Sequence, residues 1–135
     1  MNRTGFNIDL KSGITTKIYN SNFPLFFFVH TFVVQIIIQM QFLLIAYDGT
    51  DAGASDRRMK SRPEHLEKIS YVKKAGQLLC GGAILNDSGK MIGSMILYEV
   101  YDRQELDALL LNEPYIYNKV WEKVTIEPFK MAKIE

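Results

Sequence analysis

The chain has 135 residues, the length of one ordinary domain and too short for two well-packed ones. Its 16 Lys+Arg against 15 Asp+Glu leave a net charge of +1, which argues against a nucleic-acid binder that works by broad phosphate neutralisation. The single cysteine, Cys80, excludes an internal disulfide and a Cys-rich zinc site, and fits a reducing compartment.

Charge is distributed unevenly. No Asp, Glu, Lys or Arg occurs from Ile18 to Tyr47, and only Arg3, Asp9, Lys11 and Lys17 precede that stretch. Residues 23–46 are mostly apolar and long enough to cross a bilayer, with basic residues dominating the segment before them. Against that, Pro24, His30, Gln35, Gln39 and Gln41 interrupt the run, and its Phe, Val and Ile suit strands as well as helices. Residues 1–39 therefore have three readings: an extension upstream of a start at Met40, a membrane anchor over 18–39, or an added strand. They are expected to be dispensable for folding of 40–135, because the later segment holds a complete set of elements.

From Met40 the elements follow in order. Met40–Tyr47 is a short buried strand, and DGTDAG after it is rich in turn formers. A helix is expected to open around Ser61–Pro63, with Ser61 as its cap and Pro63 in its first turn. Leu66, Ile69 and Val72 continue it at helical spacing, and Gly76 is placed to end it. QLLCGGAIL is a strand, NDSG a tight turn, and Met91–Tyr101 the partner strand. Asp102 with Glu105 forms a capping pattern that opens a second helix through Leu111. Pro114 marks a break, Tyr115–Lys119 one more turn, and Lys123–Met131 the last strand, with Pro128 at an edge or bulge.

The order βαββαβ predicts an α+β, ferredoxin-like fold with two helices on one face of a four-stranded antiparallel sheet. The other sheet face then needs a cover, which favours a homodimer.

Residues 40–135 resemble the YciI-like, or YCII-related, family. The resemblance lies in RPEHL at 62–66, AGQLLCGGAI at 75–84, Gly93-Ser94, and EPYIYNKVWEKVTIEPFKM at 113–131. It implies a dimeric α+β barrel with a His–Asp pair in a cleft. The His falls on His65, the only histidine of residues 40–135. The Asp belongs to a D-P-Y motif that here reads Glu113-Pro114-Tyr115, a carboxylate one methylene longer. A family glycine a few residues on is Lys119, which would add a charge near the cleft.

Imidazole titrates near neutrality, so His65 is the natural acid or base, and a carboxylate in reach would fix its tautomer. Arg62 lies three residues before it on about the same helix face, able to hold a substrate carboxylate or phosphate, or to pair at the surface with Glu64 or Glu67. Asp48 ends the first strand, either aimed into a cleft or forming the turn. Ser94 follows Gly93, whose missing side chain permits close approach by a ligand or another backbone. Tyr115 is the remaining substrate-binding candidate. Cys80, inside a strand, is expected to be a buried, inert thiol. No ligand spacing points to a metal, and no organic cofactor is expected.

Two functions remain open. One is a small cofactor-independent enzyme of lyase or isomerase type, in which His65 and Glu113 move a proton on a small anionic or cyclic substrate. The other is a non-catalytic dimeric module that binds a small ligand or regulates a partner. Either is expected in the cytoplasm, or at a membrane if residues 18–39 anchor it.

Overall fold

A computed structural model describes residues 39–135. The readings placed on residues 1–38 lie outside the described residues. Seven elements follow one another: β1 (Met40–Asp48), α1 (Ala54–Lys74), β2 (Leu78–Leu85), β3 (Met91–Val100), α2 (Arg103–Leu110), α3 (Pro114–Tyr117) and β4 (Trp121–Phe129). The strands form one antiparallel sheet in the order β2-β3-β1-β4. This is the split βαβ arrangement of the ferredoxin-like α+β fold. No helix among the described residues is long and apolar enough to cross a membrane.

Alternation of side chains along the strands builds the core. Phe42, Leu44 and Ala46 of β1 stand opposite Tyr98, Ile96 and Ser94 of β3 on one face. Val72 of α1, Leu106 and Leu110 of α2, and Tyr115, Val120 and Trp121 close over them. The intervening residues, Leu43 and Ile45 of β1 and Met95 and Leu97 of β3, belong to the opposite face. β4 is an edge strand and carries Pro128, which lacks the N–H that an interior strand needs.

The turns follow from local chemistry. Asn86 Oδ1 accepts from the Ser88 and Lys90 amides, and Gly89 takes φ +82°, closing the β2–β3 hairpin. Gly76 at φ +77° ends α1, with the Gly76 and Gln77 amides donating to the Lys73 and Val72 carbonyls. Asp102 accepts the Glu105 amide at 2.8 Å and caps α2.

The main departure from the sequence reading is α1. It opens at Ala54, not at Ser61–Pro63, so Ser61 is a buried interior residue and Pro63 lies inside the helix. The start is set by Asp51, whose carboxylate accepts the Gly53 amide and whose carbonyl accepts the Ala54 amide. Lys119 is a second departure. It occupies the left-handed region at φ +56° in the turn between α3 and β4, which accounts for a glycine being suited there. It lies beside Arg57 and Glu122, not in the lining of the cleft described below.

Candidate active site

The inward face of α1 is polar over its first half. Ala54, Arg58, Ser61, His65 and Val72 are its buried residues, at spacings that keep them on one helix face. His65 comes down beside α3, where Glu113 is the N-cap residue. The His65 Nδ1 to Glu113 Oε1 distance is 2.7 Å, and the two residues are 7% and 2% exposed. The same oxygen accepts the Tyr115 amide at 2.9 Å, so the helix cap holds the carboxylate in place. With Glu113 ionised the carboxylate only accepts, and a neutral imidazole would then carry its proton on Nδ1 and keep the lone pair on Nε2. No group among the described residues hydrogen-bonds Nε2.

Two rings fix the imidazole plane. Tyr115 stacks on it at 3.9 Å with 10° between planes, and Trp121 meets it edge-on at 5.9 Å and 77°.

Next to this pair is a second buried network built on Arg58. Its Nη1 donates to both Asp48 oxygens at 2.8 and 3.0 Å. Its Nη2 donates to the Gly93 carbonyl and to Ser94 Oγ, each at 3.0 Å. Trp121 Nε1 donates to the same Ser94 oxygen at 3.2 Å. The guanidinium also lies 4.8 Å from the centre of the Tyr115 ring. Burial pushes the Asp48 carboxyl above its ordinary value, and the neighbouring Arg58 charge opposes that rise without cancelling it. Gly93 permits a close approach between strands, since a Cβ there would collide with the Ala46 carbonyl.

A cleft of about 370 Å³ opens between α1 and β2. Arg58, Arg62 and His65 form one wall, Ser94 and Ile96 lie below, and Tyr115 lines it as well. Its rim on β2 is made of Gly81, Gly82 and Ala83, which carry almost no side chain.

Of the residues singled out in the sequence, His65, Arg62, Ser94 and Tyr115 meet in this cleft. Arg62 makes no ion pair with Glu64 or Glu67 among the described residues. Glu113 stands behind His65, outside the lining, and Asp48 is also outside it, turned to Arg58. Cys80 is exposed rather than buried, because β2 is an edge strand with a register irregularity between Leu78 and Cys80. Among the described residues, no three His, Cys, Asp or Glu side chains are grouped to hold a metal ion.

Sequence reasoning missed Arg58 and Trp121. Arg58 falls in helical turns that precede the start expected at Ser61–Pro63. Its signal was the 58-61-65 spacing, visible once the helix is carried back to Ala54.

These features define a ferredoxin-like α+β protein whose first helix brings a buried histidine against a carboxylate that caps α3, at the edge of a cleft. The YCII-related domain matches residues 40–130, and the chain belongs to that family. Protein YciI of Escherichia coli O6:H1 is 29% identical over 94 residues, covering 65% of this chain and 96% of that protein; Protein YciI of Shigella flexneri matches equally. Among solved structures, the 5-chloro-2-hydroxyhydroquinone dehydrochlorinase TftG of Burkholderia phenoliruptrix AC1100, in complex with 2,5-dihydroxybenzoquinone, superposes with a TM-score of 0.60. It is 22% identical, and the match covers 69% of this chain and 96% of that one.

Proposed function

We propose that the chain is a small enzyme that moves a proton without an organic cofactor, with His65 Nε2 as the acid–base atom and Glu113 orienting it. The 2.7 Å contact of His65 Nδ1 with a capped, buried carboxylate carries this reading. It leaves a lone pair on Nε2 of a side chain that lines the cleft, and a fixed carboxylate to stabilise the imidazolium once it forms. Arg62 on the same wall supplies a cation for an anionic substrate. TftG is named for a dehydrochlorination, an elimination that removes a proton and a chloride, and the same reaction class is proposed here. The substrate is small, because the cleft is at the lower end of ligand-site volumes.

The test is NMR-detected deuterium incorporation from D2O into a panel of small cyclic keto acids. The protein should accelerate exchange at the carbon next to a carbonyl in at least one member. Background rates across the panel would remove the acid–base reading in favour of a binding module.

We also propose that the active form is a homodimer. Leu43, Ile45 and Met95 lie on the sheet face opposite the three helices and keep solvent exposure, and a second copy would bury them. Sedimentation equilibrium of the chain should return a dimer mass, and a monomer at tens of micromolar would overturn the assignment.

A further inference from the structure

The cleft is lined by donors and cations and by no carboxylate side chain. Arg58, Arg62 and Lys73 line it, while Asp48 and Glu113 do not. Three buried donors on residues that line it have no acceptor among the described residues. Arg58 commits both terminal nitrogens to Asp48, the Gly93 carbonyl and Ser94, yet its buried Nε–H has no partner. The buried Tyr115 hydroxyl has none either. Ser94 Oγ accepts from both Arg58 and Trp121, which occupies its lone pairs, and its own O–H meets no acceptor among the described residues. Arg58, Ser94 and Tyr115 are 4%, 3% and 1% exposed, and all three line the cleft. Buried donors are nearly always paired in folded proteins, so three orphans in one cleft mark where an acceptor belongs.

We propose that this cleft binds a small organic oxyanion, its charged oxygen taken by the Tyr115 hydroxyl, Arg58 Nε–H and Ser94 O–H. Its apolar body, about one ring in size, lies against Leu66, Ile69 and Ile96. The proposal deepens the acid–base reading by naming the substrate class, and rests on it only for the role of His65. Burial keeps the Tyr115 hydroxyl above the ordinary phenol range against the pull of Arg58 and Arg62, so it is a donor at neutral pH. Carboxylates and phenolates or enolates share the required chemistry.

The experiment titrates the full chain with 4-nitrophenolate, followed by its own absorbance, with benzoate, and with neutral 4-nitrobenzyl alcohol. Both anions should bind at least about tenfold more tightly than the alcohol. Preference between them assigns the oxyanion to a phenol or enol, or to a carboxylate. Tyr115→Phe removes one hydroxyl that has no protein partner. It should weaken anion binding at least about fivefold while the melting midpoint stays level or rises. Equal binding of the neutral alcohol, unchanged binding by Y115F, or a lowered midpoint in Y115F would each overturn the proposal. The three donors do not include His65, so anion binding and deuterium exchange are read separately. Anion binding without any deuterium exchange by the native chain would therefore refute the acid–base reading alone.

Discussion

Replacing His65 with Asn should cut protein-catalysed deuterium exchange by about 10²–10⁴-fold, the range expected when a positioned general base is lost. Asn has the size to occupy the gap beside Tyr115, so the melting midpoint should change far less than the rate. Glu113→Gln is the graded form of the same test. It preserves shape but removes the charge that stabilises the imidazolium, and its amide can donate to Nδ1 and reverse the tautomer, placing the proton on Nε2. The rate should drop by at least about tenfold. Glu113→Asp restores the family's residue but shortens the side chain that now makes the 2.7 Å contact, so it should not raise the rate. A faster E113D protein would mean that the native pair is degraded, and a binding module would then be the better description. Exchange measured by NMR and melting followed by circular dichroism separate these outcomes.

Asp48→Asn should destabilise the fold more than any change confined to the cleft surface. The Arg58 and Asp48 side chains are 5% and 6% exposed and meet at 2.8 Å. Removing one charge leaves the other buried without a partner, at a cost of about 3–5 kcal/mol. For a domain of this size that lowers Tm by roughly 12 °C or more. Replacing the pair together, Asp48→Leu with Arg58→Met, should recover most of the loss, because two apolar side chains need no partner. Scanning calorimetry of the single and double variants decides it. A D48N protein within about 1 kcal/mol of the native chain would show that the guanidinium is satisfied by Gly93, Ser94 and water without the carboxylate.

Much of the fold was legible because its signals are local. The apolar run Met40–Tyr47, the Asp102–Glu105 cap and the Asn86–Gly89 turn each act over a few residues, and the observed elements match them. The first turns of α1 were not legible for a physical reason. Hydrophobic periodicity locates a helix by its buried apolar stripe, and here that stripe is Arg58, Ser61 and His65. Pro63 reinforced the error, since proline ordinarily marks a first turn rather than an interior. The residues that make the site were the ones that hid the element carrying it. The His65–Glu113 contact spans 48 positions, and no spacing rule reaches that far; only the resemblance to a known motif pointed to it. Asp48 was noticed as the end of a strand, but its partner Arg58 lay between the DGTDAG loop and the helix start expected at Ser61–Pro63.

The bareness of the β2 rim has a consequence for how the protein can change its ligand. The helix wall is tied into two buried networks, so altering it disturbs the fold along with the site. Ala83 is different: it lines the cleft, pairs with Ser94 on that face of the sheet, and is exposed. A longer side chain there would project from an open point of the rim. Under the proposed function, the size of ligand admitted is therefore adjustable by single substitutions on one strand edge, separately from the acid–base pair proposed on the opposite wall.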